Sequence, residues 1–165
     1  FARVITEGTP ARGQEQDEQN NLLLSVRYTN TDGADIDPTT LEQGAEFVAE
    51  VTVQHTGSRS SFENLALAQV FPAGWEINNL RLQEVEEAVK SSAFTYQDIR
   101  DDRVYTYFDL YRNEKRTFRI LLTASYAGTF YLPAVSCEAM YDNSIYARKK
   151  GMEVKVVKAA TNDVN

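Results

Sequence analysis

The sequence has few of the residues that metal sites, disulfides and acid–base catalysis require. Its 165 residues include one cysteine and one histidine, and its eight glycines are scattered singly. Cys137, in an apolar run, can form neither an internal disulfide nor a cysteine-based metal site, and we expect it to be buried. His55 lies at the end of a predicted strand with inward parity, which favours a packed or capping side chain over a catalytic base. We therefore predict a chain that is not an enzyme, with no catalytic residues, no metal and no cofactor.

Long apolar runs and an excess of basic charge are also missing. No stretch approaches the ~20 apolar residues that a membrane-spanning helix needs. The net charge of −7 opposes binding to nucleic acid or to an anionic membrane surface. The small basic cluster Arg148, Lys149 and Lys150 is typical of a solvated strand edge. We expect no nucleic-acid partner and no direct membrane contact, and we expect a segment of a larger exported protein, since the sequence starts at Phe1 without a secretion leader.

Alternation of apolar and polar residues predicts about nine or ten short strands. The clearest is 46–54, in which Phe47, Ala49, Val51 and Val53 share one face. The other predicted strands are 22–29, 64–71, 75–82, 94–99, 103–110, 117–126, 129–132, one after Pro133, and 152–157. Strand spacings near ~8 to 12 residues are typical of a sandwich and oppose an alternating strand–helix fold. The predicted fold class is all-β, an antiparallel immunoglobulin-like β-sandwich with at most one short helical excursion.

The chain has the size of one domain. We predict a linker or peripheral strand over 1–21, the sandwich over 22–158 and a disordered tail over 159–165. The helical excursion is expected at 83–90, where local helix propensity is high but the run is too short for a stable helix. Residues 139–150 are polar and predict an irregular loop.

An acidic turn offers one candidate metal site. Asp32, Asp35 and Asp37 could line a calcium loop, because calcium prefers clustered oxygen ligands. Their spacing departs from the helix–loop–helix calcium pattern, and an ordinary β-turn accounts for them equally well. Both interpretations stay open from the sequence.

Three stretches of the sequence resemble one family. They are 22–53, with a strand, the acidic turn and a strongly alternating strand; 65–79, which reads LALAQVFPAGWEINN; and 99–110 together with 118–151. The most specific part is Glu138-Ala139-Met140-Tyr141-Asp142. Over nearly all of residues 20–158 the chain resembles the carboxy-terminal macroglobulin-like domain of bacterial alpha-2-macroglobulins.

The resemblance implies a large parent protein in the periplasm or cell envelope, often a membrane-anchored lipoprotein, that traps proteases. Proteolysis of a bait region rearranges such proteins, and in many an internal thioester then captures the protease. In that scheme this domain docks on the thioester domain of the same chain and shields the reactive bond. The shielding residues map onto Met140 and Tyr141, within a docking loop of residues 139–147. The implied partners are the other domains of the parent and, through the parent, proteases.

Two features differ from the family pattern. Asn143 stands where many relatives have proline, and the thioester signature Cys-x-Glu-Gln does not occur in this chain. The leading hypothesis is a non-catalytic domain of a broad-spectrum protease inhibitor. The alternative is a generic extracellular adhesion or ligand-binding sandwich, in which an exposed sheet face or the turn from Asp32 to Asp37 binds a partner. Met140 and Tyr141 could also simply pack on their own sandwich. A β-sandwich hydrolase is a third and weaker hypothesis.

Overall fold

A computed structural model describes residues 13–78 and 90–159. Within these ranges the chain forms thirteen β-strands and no helix, and so no helix that could cross a membrane. The strands are β1 (Glu18–Asn20), β2 (Leu22–Thr29), β3 (Thr40–Glu42), β4 (Glu46–His55), β5 (Ser61–Val70), β6 (Trp75–Ile77), β7 (Tyr96–Ile99), β8 (Arg103–Tyr111), β9 (Lys115–Ala124), β10 (Gly128–Leu132), β11 (Val135–Ala139), β12 (Asp142–Lys149) and β13 (Met152–Val157).

The strands form three sheets. A six-stranded sheet has the order β1-β12-β11-β5-β8-β7, a four-stranded sheet the order β2-β4-β9-β6, and a three-stranded sheet the order β10-β13-β3. The named strands pair antiparallel, except that β13 and β3 pair parallel. The predicted all-β sandwich is confirmed.

Two clusters of buried side chains hold the sheets together. In the first core cluster the four-stranded sheet packs on the six-stranded sheet, through residues such as Val51, Leu67 and Phe118. In the second the four-stranded sheet packs chiefly on the three-stranded sheet, through residues such as Trp75 and Val154. Alternate side chains of a strand point to the same face, and the sequence predicted an inward-facing series of this kind for β4. The single strand therefore contributes buried side chains to both clusters.

Most strand predictions are confirmed, with differences at their ends. β2 and β13 have the predicted bounds, whereas the strand predicted over 75–82 covers only Trp75–Ile77 before residue 78 leaves it. Its remainder and nearly all of the predicted helical turn at 83–90 lie outside the described residues. Strands β3 and β12 were not predicted, and β1 lies within the segment 1–21, for which the sequence left a linker and a peripheral strand open. β1 and β3 are only three residues long, and Leu41 is the only apolar residue in either, so neither shows a period of two.

Candidate contact site at the tip of the β11–β12 hairpin

Met140 and Tyr141 form the tip of a tight hairpin. Ala139, the last residue of β11, pairs with Asp142, the first residue of β12, so only these two residues connect the strands. The side chain of Met140 is 51% exposed and that of Tyr141 is 83% exposed, the largest value among the big apolar side chains of the described residues. Neither residue belongs to the buried core, and Tyr141 projects almost completely into solvent.

The prediction of an irregular loop over 139–150 is wrong, and the segment 139–147 proposed for docking is a hairpin tip and part of a strand rather than a loop. Residues 142–149 form strand β12, which pairs with β11 on one side and β1 on the other. The strand escaped prediction because only Ile145 and Ala147 in it are buried. A bulge also breaks its period: Glu138 pairs with Tyr146 although Ala139 pairs with Asp142, so residues 143–145 have no counterpart on β11.

The backbone of the tip is tied to the neighbouring strand β5. The N–H of Met140 donates to the carbonyl oxygen of Asn64 at 3.0 Å. Asn64 lies in a bulge of β5 with φ of 55°, and its own N–H donates to the carboxylate of Asp109 at 2.8 Å. The Asp109 carboxylate therefore fixes the bulge, and the bulge presents the carbonyl that holds the tip.

The first turn of β12 is held by a polar network centred on Asp142. Its Oδ1 accepts from the Ser144 hydroxyl at 2.6 Å and from the Ser144 N–H at 2.9 Å, while its Oδ2 accepts from Arg59 at 2.6 Å. The Ser144 hydroxyl, then the Arg59 guanidinium and the Ser144 N–H, lower the pKa of Asp142 to about 2. From the other side the amide of Asn21 donates to the Ser144 carbonyl at 2.8 Å. The exposed tip therefore stands on an ordered base.

Asn143 lies in the bulge, where the family pattern has proline. Residues 143–145 have no register partner on β11, so position 143 lies in a bulge, where proline is tolerated. The asparagine is therefore a local substitution compatible with the same hairpin geometry.

The anchoring residues Arg59, Asn64, Asp109 and Ser144 were not predicted as part of the site. Only the Asp142-x-Ser144 spacing carried a signal, because aspartate followed two residues later by serine favours a side-chain-closed turn. Arg59 and Asn64 lie some eighty residues before the tip in the chain, and no local pattern connects them to it.

His55 is packed and capping, as predicted. Its ring is 1% exposed and stacks on Phe62 with centroids 3.9 Å apart. Its Nδ1 accepts the N–H of Gly57 at 2.8 Å. Burial, with a contribution from the positive charge of Arg112, lowers the pKa of His55. The neutral ring thus closes the turn after β4.

The remaining sequence candidates do not come together. Cys137 is fully buried, as predicted, and burial raises the pKa of its thiol.

In the acidic turn, the Asp37 carboxylate accepts hydrogen bonds from the N–H and hydroxyl of Thr39, and the Asp35 carboxylate lies 3.6 Å from the Arg27 guanidinium. Asn30, rather than Asp32, organises the acidic turn by accepting two backbone N–H groups. Among residues 13–78 and 90–159 no group of three metal-ligating side chains converges.

The fold and the tip define a β-sandwich module with two exposed apolar side chains at the end of one hairpin. The model of the family "Bacterial Alpha-2-macroglobulin MG10 domain" matches residues 22–143, which is most of the chain. The chain belongs to this family, and the resemblance inferred from the sequence is confirmed.

Individual relatives agree. The alpha-2-macroglobulin of Rickettsia conorii is 28% identical over 153 residues, covering 90% of this chain and 8% of the relative. The native Escherichia coli alpha-2-macroglobulin has a TM-score of 0.78 at 20% identity, over 91% of this chain and 10% of that one. Salmonella alpha-2-macroglobulin reacted with methylamine has a TM-score of 0.75 at 21% identity, and the trypsin-activated E. coli protein 0.74 at 20%, each over 87% of this chain and 10% and 11% of theirs. At these identities the structures establish the fold, and the chain spans about a tenth of these relatives.

Proposed function

We propose that this chain is a non-catalytic domain of an alpha-2-macroglobulin-type protease inhibitor of the cell envelope. In this proposal it docks on the thioester domain of its own parent chain, and Met140 and Tyr141 cover the reactive bond. The observation that carries the proposal is the hairpin tip, where two large apolar side chains project from a base fixed by hydrogen bonds.

The chemistry of a thioester explains why such a tip is useful. A thioester hydrolyses in water, so its lifetime depends on excluding water and other nucleophiles from the acyl carbon. Tyrosine supplies a large rigid surface and methionine an adaptable one, and together they can follow the contour around a small buried bond. Because the base of the hairpin is ordered before docking, little conformational entropy is lost when the tip is buried.

Two solved structures of relatives support this scheme, because each shows the protein after a treatment that the scheme involves. The Salmonella protein was studied after reaction with methylamine, a small nucleophile of the kind that opens a thioester. The E. coli protein was studied after activation by trypsin. In the proposal the parent of this chain undergoes the same two events, proteolysis and nucleophilic opening, and this domain controls the second.

The surroundings of the titratable groups support the non-catalytic part of the proposal. The Nδ1 of His55 accepts a backbone N–H, its ring is stacked and buried, and its pKa is lowered by burial. Cys137 is buried with a raised pKa, opposite to what a nucleophilic thiolate needs. At the tip, the carboxylate of Asp142 is occupied by Ser144 and Arg59.

The test is the spontaneous loss of the thioester in the parent protein. Met140→Ala and Tyr141→Ala should each speed the release of free thiol, measured with a chromogenic thiol reagent in the absence of protease. An increase of about tenfold corresponds to about 1.4 kcal/mol of lost protection. The double variant should be the fastest.

Tyr126→Ala is the matched control. Tyr126 is also an exposed tyrosine, at 56%, but it lies in the turn between β9 and β10. Its loss should leave thiol release unchanged. Unchanged release in both tip variants, or a parent without a Cys-x-Glu-Gln motif, would contradict the proposal.

A further inference from the structure

The loop between β4 and β5, residues 56–60, connects the only histidine of the chain to the base of the hairpin tip. At the start of the loop the N–H of Gly57 donates to Nδ1 of the buried His55 ring at 2.8 Å. Near its end the guanidinium of Arg59 lies 2.6 Å from the carboxylate of Asp142, the first residue of β12. One short loop thus joins a group that can take up a proton to the support of the tip.

Gly57 is held from both sides, and both attachments depend on a neutral His55. Its N–H is accepted by Nδ1 of the ring, and its carbonyl oxygen accepts from Nε of Arg112 at 3.1 Å. The N–H of Arg112 also donates to the Ser60 carbonyl at 3.0 Å. A proton on Nδ1 would turn the acceptor into a donor facing the Gly57 N–H, and the new positive charge would repel Arg112. Protonation therefore weakens the hold on the loop at Gly57 and at Ser60 together.

Within the described residues, the surroundings of the His55 ring supply no acceptor for a second proton. Phe62 of β5 stacks on the ring and Leu22 of β2 pairs with His55 across the ladder, and both are apolar. The charged groups beside it belong to the turn after β8. Burial and then the charge of Arg112 lower the pKa of His55, and the Glu114 carboxylate already accepts a backbone N–H and a guanidinium. Nε2 is buried without a hydrogen-bond partner, so the ring can hold a second proton only if its surroundings move.

Arg59 fixes the chain where it leaves the tip. Asp142 directly follows Tyr141, so the Arg59 contact orients the second tip residue from the neighbouring hairpin. The other attachment, from the Met140 N–H to the Asn64 carbonyl, acts on the first tip residue. The ion pair is partly exposed, so it contributes direction rather than much stability. With a pKa of about 2, the Asp142 carboxyl stays ionised in mild acid and does not release Arg59 by itself.

We infer that Arg59 positions Met140 and Tyr141, and that the neutral ring of His55 holds the loop that carries Arg59, so that protonation of the ring frees the hairpin tip. The coupling between ring and tip stands on the geometry of this domain. Only its consequence, a less protected thioester in mild acid, rests on the proposed function.

A nuclear magnetic resonance titration of the 165-residue chain from pH 7.5 to 4.5 tests the coupling. The Gly57 and Tyr141 amides should shift with the same midpoint as the His55 ring, and this midpoint should lie below about 6.5. The indole N–H of Trp75, in the second core cluster, should keep its shift, which separates a local release from unfolding of the domain. A Tyr141 amide that stays constant while the ring titrates would overturn the inference.

Two variants locate the path of the coupling. His55→Gln keeps a side-chain acceptor for the Gly57 N–H but takes up no proton, so the Tyr141 amide should no longer respond to pH. In Arg59→Gln the His55 ring should still titrate and the Gly57 amide should follow it, whereas the Tyr141 amide should not. A Tyr141 response that survives Arg59→Gln would overturn the role of Arg59. This second variant changes a half-exposed side chain, so it carries the test if His55→Gln does not fold.

Arg100→Gln is the matched control. It also removes a partly exposed arginine from an ion pair, here with Asp98, but it lies at the opposite end of β8 from the loop. The Tyr141 amide should titrate in this variant as in the unmodified chain. Loss of the response would mean that removing any surface arginine abolishes it, which would contradict a specific path through Arg59.

The consequence for the thioester is measured separately in the parent protein. Thiol release from the unmodified protein is divided by release from His55→Gln at the same pH, which cancels the pH dependence of hydrolysis itself. The ratio should be about one at pH 7.5 and at least about threefold higher at pH 5.0. A constant ratio with intact coupling in the titration would contradict the proposed function and leave the coupling standing. Absence of coupling would overturn the inference even if Met140→Ala and Tyr141→Ala speed thiol release.

Discussion

At the scale of single residues, His55 shows how the surroundings decide the role of a titratable group. The sequence offered one imidazole and predicted a packed or capping side chain from its strand-end position, and this is confirmed. The stacking partner could not be predicted, because Phe62 meets the ring only after the chain has turned back into β5. The hydrogen-bond donor Gly57, in contrast, is only two residues from His55. Protonation of Nδ1 would remove the acceptor for the Gly57 N–H inside a buried site.

The lowered pKa of His55 predicts a loss of stability in mild acid. Because the folded protein holds this proton less tightly than the unfolded chain, the free energy of unfolding is highest above the unfolded pKa of about 6.5 and falls as the pH drops below it. Urea unfolding between pH 7.5 and 5.0 should show this decline, and His55→Gln should flatten it. The Asp142 carboxyl, with a pKa of about 2, titrates well below this window and does not interfere. Parallel pH profiles for the two proteins would contradict the assignment.

At the scale of elements, prediction succeeded where alternation is carried by many side chains. In β4 the buried series Phe47, Ala49, Val51 and Val53 is unbroken, and the predicted strand differs from the observed one by a single residue. β12 was missed because two buried side chains and a bulge do not establish a period. The tip residues themselves were identified from the family motif. The residues that hold the tip in place could not be identified in this way. Asn64, for example, forms its two hydrogen bonds through its backbone carbonyl and N–H, and every residue type has these groups.

The backbone conformation of the bulge in β5 predicts how substitutions at Asn64 change the stability of the protein. The left-handed φ of Asn64 is tolerated by asparagine and glycine but strained in alanine by about 1 kcal/mol. Asn64→Ala should therefore lower the free energy of unfolding by about that amount in urea titration and speed exchange of the Met140 amide. Asn64→Gly keeps the conformation and both backbone hydrogen bonds, so it should be close to neutral. If glycine were as destabilising as alanine, the side chain rather than the backbone would be holding the bulge.

At the scale of the whole molecule, the two core clusters are joined by strands that run through both. β4 contributes Val51 to the first and Phe47 to the second; β8 contributes Phe108 and Val104 in the same way. β9 places Phe118 in the first cluster and Leu122 in the second. A strand cannot leave one cluster without exposing its side chains in the other, so the described sandwich should unfold as one cooperative unit.

A substitution in one cluster, observed from the other, tests this cooperativity. Phe118 is fully buried in the first cluster, with its ring 4.7 Å from that of Phe108. Trp75, the only tryptophan of the chain, lies in the second cluster, 4.9 Å from the ring of Phe47. Phe118→Leu should lower the free energy of unfolding by about 1 to 3 kcal/mol. The Trp75 fluorescence transition in urea should shift with the far-ultraviolet circular dichroism transition, and Phe47→Leu should shift both in the same way. A fluorescence midpoint that stays in place while the circular dichroism midpoint moves would mean that the two clusters unfold independently.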